Sequence, residues 1–173
     1  MNEHLKRVRA FNTGIALPQA EQGTHRRLSD MDIIMRQALL MEAGSETFSA
    51  LKSGDMVAIL AGLTDLAYYA LGAIAMQGAD VIEQPVTWRH DGFVLSVMKL
   101  LSDNINQCAA GEVEDYSAVY CLCAHLAKNF INADFYKALI MVHNNAMSKL
   151  DESRKSRPER LPKAPDLSDA LYE

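Results

Sequence analysis

The 173-residue sequence is poor in the residues that break elements and in those that staple them, with nine Gly, five Pro, three Cys and a single Trp. So few turn formers exclude a turn-rich β-sandwich and favour long helices. An odd number of cysteines does not make a disulfide framework. Cys121 and Cys123 stand two residues apart, so on a helix they point in different directions; with no second pair they read as small buried hydrophobes, not metal ligands. Positive charge is also scarce: the net charge is −5 and the pI near 5.5, which argues against an extended nucleic-acid partner. An anionic ligand would need local cations or a metal. There is no Gly-rich phosphate loop, no GxSxG elbow and no HExxH, and His4, His25, His90, His125 and His143 form no i, i+4 pair. No charged segment, apolar stretch and cleavage site opens the sequence, so a cytoplasmic location is the expectation.

What the sequence does have is a core-forming content of 49% hydrophobic residues, enough at this length for one domain. The stretch Met56 to Met76 stands out because Asp65 is its only charge. It is long enough to test as a membrane span, but its Ala, Gly, Thr and Tyr are weakly apolar, and a central Asp costs about 2.5–3.5 kcal/mol on insertion. The expectation is a buried helix and no membrane. A carboxylate in such a helix needs a cation, a metal or hydrogen-bond donors to meet it.

Periodicity and caps organise the remainder. Residues 4–12 form a short amphipathic helix carrying Leu5, Val8 and Phe11. Ser29 and Asp32 resemble a capping box that opens a helix over about 31–52, and Ser53-Gly54-Asp55 turns the chain into a second helix over about 55–77. So short a turn makes these two antiparallel neighbours. Further helices are expected over 92–108, 112–130 and 134–150. The fold class is therefore all-α, a bundle of about five helices built on the 31–52 and 55–77 hairpin, forming a single domain over 1–150. Residues 151–173 are polar and contain Pro158, Pro162 and Pro165; they read as an extended tail, with Leu167, Leu171 and Tyr172 docking on a neighbour.

Counting from the hairpin turn, Glu42 and Asp65 lie at the same height, each roughly 17 Å along its axis at about 1.5 Å per residue. Glu46 lies one turn nearer the tip, opposite Ala61 and Gly62. Met35, Leu39, Glu42 and Glu46 share one stripe, so the two acids are expected to face inward. Two readings follow: Glu42, Glu46 and Asp65 bind a hard cation such as Mg²⁺ or Mn²⁺, or Asp65 pairs with Arg36 or a lysine in a buried salt bridge. Arg36, Lys128, Lys137 and Lys149 are cations for a phosphate, and Lys128, Asn129 and Asn132 fall at a helix junction that can overhang a pocket.

The runs RQALLMEAGSETFSAL and GDMVAILAGLTDLAYYALGAIAMQGAD resemble the core hairpin of the all-α nucleotide pyrophosphohydrolases, the MazG-like and phosphoribosyl-ATP pyrophosphohydrolase-like group. In that group an Arg precedes an EExxE segment, a Gly-Asp turn follows, and an ExxD segment leads to a Tyr and a Gly. Arg36, Glu42, Glu46, Gly54-Asp55, Asp65, Tyr68 and Gly72 occupy those places. Upstream AFNTGIALPQ and downstream VHNNAMSKL and PKAPDLSDAL are similar to the group's flanking segments, with about 86–132 as a helical insertion. The resemblance implies Mg²⁺- or Mn²⁺-dependent hydrolysis of a nucleoside triphosphate to pyrophosphate and a nucleoside monophosphate. Glu42, Glu46 and Asp65 would be catalytic and metal-binding, and Arg36, Tyr68, Lys128, Asn132 and Lys149 would bind substrate in a homodimer or homotetramer. A weaker likeness of the insertion to the dimeric dUTPases adds Asp134 as a further metal ligand. Ala43, Gly62 and Ala146 depart from the pattern at two acids and an Asn, which implies the alternative of a catalytically degenerate relative that binds nucleotide or a partner without hydrolysis.

Overall fold

The computed structural model describes residues 1–172, and among them it is all-α, with seven α-helices and no strand. They are α1 (Glu3–Gly14), α2 (Asp30–Ser53), α3 (Met56–Gln77), α4 (Val94–Gln107), α5 (Val113–Asn129), α6 (Phe135–Ser148) and α7 (Leu150–Lys155). The helix boundaries follow local chemistry. Ser29 Oγ accepts the Asp32 amide at 3.1 Å to open α2, and Asp55 Oδ1 accepts the Ala58 amide at 3.1 Å to open α3. Between them Gly54 takes φ 73° as the left-handed cap of α2, a conformation that costs a glycine nothing.

The core forms around α3, which packs against α5, α2, α1 and α6. From Leu66 to Gln77 every residue of α3 is buried, as expected of a helix apolar on all sides. It is long and apolar enough to span a membrane, but 78% of its most apolar window lies inside the fold. Leu5, Val8 and Phe11 fix α1 to this core, and Cys121 and Cys123 are buried and free, as their spacing suggests.

Two glycines set how closely the hairpin closes. A Cβ on Gly72 would come within 2.5 Å of Arg36 Nη1, so Gly72 makes the notch that holds the Arg36 guanidinium. A Cβ on Gly62 would meet Thr47, whose own Cβ and Cα would lie 2.9 and 3.0 Å away. Thr47 is fully buried and bonds the Ala43 carbonyl at 2.7 Å. The helices therefore touch where the pattern this hairpin resembles has an acid.

The polar C-terminal segment docks on its own chain instead of a neighbour. Leu161, Leu167 and Ala170 are buried, Leu171 is half-buried and Tyr172 is exposed. Asp134 N donates to the Ala170 carbonyl at 2.7 Å, and Tyr172 N donates to the Asn132 carbonyl at 3.1 Å. Upstream, Arg154 Nε holds the Gly14 carbonyl at 2.7 Å. Residues 156–166 thus form a strap anchored at both ends.

Candidate functional site

The strap crosses the outer face of the hairpin and roofs a cleft of about 560 Å³. Its walls are Glu42, Ala43 and Glu46 of α2 and Ala61, Gly62, Asp65 and Tyr69 of α3; its roof runs from Arg160 to Pro165. The strap is pinned where Leu161 N donates to the Tyr69 hydroxyl at 2.8 Å. The three expected acids, Glu42, Glu46 and Asp65, are therefore brought to one pocket. The two glutamates do not face inward as expected: they stand at the rim, with side chains 40% and 63% exposed.

Electrostatics distinguish the acids. Asp65 Oδ1 is covered and has no hydrogen-bond partner among the described residues. Burial, reinforced by the charge of Glu46, pushes the Asp65 carboxyl up to about 8. Its field partner is thus Glu46, although helix counting paired it with Glu42. The rim acids meet cations from the strap: Arg160 lies 3.9 Å from Glu42 and 3.8 Å from Glu46, and Arg157 lies 3.6 Å from Glu42.

Arg36 does not pair with Asp65 and does not line the cleft. It is buried in the Gly72 notch, its Nε donating to Met76 Sδ at 3.3 Å, and burial pushes its guanidinium down to about 10. Tyr68 is also elsewhere: its hydroxyl shares a 2.9 Å hydrogen bond with His143 Nδ1, and its ring meets Phe11 edge-on. One helical residue is a rotation of about 100°, which turns Tyr68 into the core and Tyr69 into the cleft. Tyr69 follows Asp65 by four positions, a same-face signal that would have found it. Lys128, Asn132 and Lys149 do not line the cleft. Lys128 and Asn132 are exposed, and Lys149 bridges the end of α6 and the start of α7. Asp134 is committed as the cap of α6, its Oδ1 accepting the Lys137 amide at 3.0 Å. Arg157, Arg160 and Lys163 were missed because they lie in a stretch with no periodicity.

Whether these residues suit a divalent ion is a question of donor chemistry. Carboxylate oxygens are the donors a hard cation prefers, and the unpartnered Asp65 oxygen beside Glu46 lacks a positive charge that a proton or a cation can supply. Glu46 and Asp65, with Glu42 at the rim, fit that requirement. Among the described residues no group of three or more His, Cys, Asp or Glu is drawn tightly enough together to form a finished metal centre.

An all-α protein with an acidic cleft on one face of an antiparallel helix hairpin defines the class. Residues 8–84 match the family model of phosphoribosyl-ATP pyrophosphohydrolase, which bears out the resemblance to the all-α nucleotide pyrophosphohydrolases over most of α1, all of α2 and α3, and the loop beyond. The match spans less than half of the chain and ends before α4 and the strap. No curated protein and no solved structure matches the chain.

Proposed function

We propose that this protein is a cytoplasmic, Mg²⁺- or Mn²⁺-dependent nucleotide pyrophosphohydrolase that cleaves a nucleoside triphosphate to pyrophosphate and a nucleoside monophosphate. The observation that carries the reading is the uncompensated Asp65 carboxyl beside Glu46, in a cleft whose helical walls lie within the segment that matches the family. Glu46, Asp65 and Glu42 would hold the metal, which when bound neutralises phosphate charge and lowers the pKa of a water. In the reaction the oxygen of water bonds to the α phosphorus, the bond to the α–β bridging oxygen breaks, and pyrophosphate leaves. Val57, Ala58 and Ala61 give the cleft an apolar floor beside the acids, and Tyr69 steadies the strap above it.

A nucleotide panel with Mg²⁺ or Mn²⁺ tests this by pyrophosphate release. Turnover should require the metal and fall about a hundredfold or more in Asp65→Asn and Glu46→Gln. The contact between Gly62 and Thr47 favours the second reading, a degenerate relative that binds nucleotide without cleaving it, because it leaves no room for an acid at that position. Binding without metal-dependent turnover across the panel would select that reading. Self-association into a homodimer or homotetramer belongs to the same proposal. It is supported by the apolar side chains of Met31, Ile34, Met41 and Leu95, exposed by 72%, 63%, 53% and 77% on α2 and α4. Light scattering should give a mass of two or four chains, and a monomer would refute it.

A further inference from the structure

The strap residues Arg157, Arg160 and Lys163 fall three apart, and the arginines face the acids of the cleft. Other arginines of this chain are engaged structurally: Arg154 bonds the Gly14 carbonyl at 2.7 Å, and Arg9 bonds the Ala75 and Ala20 carbonyls at 2.9 and 3.0 Å. Arg160 makes no such bond. Among the described residues its charged partners are Glu42 and Glu46, at 3.9 and 3.8 Å, beyond hydrogen-bond reach and at a side-chain exposure of 46%. Partly exposed pairs of this kind are weak and easily exchanged.

The backbone at and beyond Arg160 is held without help from its side chain, beginning with its own amide, which donates to the Arg157 carbonyl at 3.1 Å. Leu161 is buried, with its amide on Tyr69, and Asn145 Nδ2 donates to the Lys163 carbonyl at 3.0 Å. The guanidinium is therefore free to move within a fixed strap. A polyphosphate entering this cleft meets the carboxylates of Glu42, Glu46 and Asp55, which repel it unless positive charge stands between.

We infer that Arg160, seconded by Arg157, is an exchangeable counter-ion: it occupies the rim carboxylates of Glu42 and Glu46 while the cleft is empty, and swings to the phosphates of a metal-bound pyrophosphate group when one enters. The planar fork of a guanidinium suits it to both partners, carboxylate first and phosphate second. The inference rests on the nucleotide reading for its ligand class and adds the strap as the anion-binding half of the site.

Removing Arg160 should then move two affinities in opposite directions. By calorimetry or Mn²⁺ electron paramagnetic resonance on the full chain, Arg160→Gln should bind Mn²⁺ alone about two- to fivefold more tightly, because a competing cation has left the carboxylates. With Mn²⁺ saturating, the same variant should bind inorganic pyrophosphate about ten- to a hundredfold more weakly, through loss of charge-assisted hydrogen bonds. Arg160→Lys should leave Mn²⁺ binding near wild type and give an intermediate pyrophosphate affinity. Lys155→Gln, which removes one charge from the exposed end of α7, should change neither. Both affinities falling together in Arg160→Gln would mean that the residue only shapes the strap, and would overturn the inference. So would no change in either, or a wild-type chain that binds neither Mn²⁺ nor pyrophosphate. The opposed shifts without turnover of any nucleotide would uphold the inference and sink the hydrolase reading. Turnover with an unchanged KM in Arg160→Gln and no opposed shifts would do the reverse.

Discussion

A carboxylate with a covered oxygen and no donor is held at a cost, and at Asp65 that cost depends on pH. Burial and then the charge of Glu46 raise its folded-state pKa to about 8, against an ordinary value of 3.8. Between these values the folded chain keeps a proton that the unfolded chain has released, so stability present below pH 3.8 is lost as the pH rises through about 8. Melting temperature should therefore decline from pH 6.5 to 8 in metal-free buffer, and Asp65→Asn should flatten that decline. At pH 8, Mg²⁺ or Mn²⁺ should raise the melting temperature of the wild type and leave Asp65→Asn unmoved, because the cation replaces the proton only on an ionised carboxylate. Differential scanning fluorimetry across pH, with and without metal, checks both statements; a wild type whose stability climbs toward pH 8 would contradict them.

At the scale of elements, the hairpin was legible in the sequence and the strap was not, for different physical reasons. Ser29, Gly54, Asp55 and Gly78 are local signals whose capping geometry needs only a few neighbouring residues, and all four do what their chemistry suggests. The meeting of Glu42, Glu46 and Asp65 at one cleft followed from antiparallel counting across a short turn. The strap carries no such code. Its anchors, the Tyr69 hydroxyl under Leu161 and the bridge between Ala133 and Leu171, join residues far apart in sequence, while its prolines and charges read as a solvated tail. Lys128, Asn132 and Lys149 lie outside the cleft and Arg160 and Lys163 line it, an arrangement hidden from the sequence because no spacing rule links helices separated by long loops. That Tyr69 and not Tyr68 lines the cleft is a matter of phase, one residue on a helix whose faces are nearly all apolar. The Gly62 departure has gained a cause, since the same contact with Thr47 that excludes an acid brings α2 and α3 together beneath the site.

Across the whole molecule, α3 is sheathed by its neighbours, and two of the contacts that close the sheath pass through histidines. His4 of α1 shares a 2.9 Å hydrogen bond between its Nδ1 and the Tyr120 hydroxyl of α5, and packs against Phe135 and Tyr136 of α6. His143 of α6 holds the Tyr68 hydroxyl of α3. Burial, with Arg7 adding to it, lowers both imidazoles, His4 to about 4 from an ordinary 6.5. For a base the consequence runs opposite to that of Asp65. Below pH 6.5 the unfolded chain takes up protons that the folded chain refuses, so stability is lost as the pH falls toward about 4, and α1 is the element set free first. The two windows overlap: below pH 6.5 the histidine and Asp65 linkages oppose each other, and above it that of Asp65 acts alone, so the metal-free chain should lose stability from about pH 6.5 towards 8. His4→Gln should remove the acid-side loss without touching the decline above pH 6.5, and Asp65→Asn should flatten that decline and steepen the loss on the acid side, where the histidine then acts unopposed. Hydrogen exchange at pH 5 should locate the early opening in residues 3–14 of the wild type. Uniform exchange along the chain, or an acid limb unchanged in His4→Gln, would show that protonation of His4 does not drive the loss.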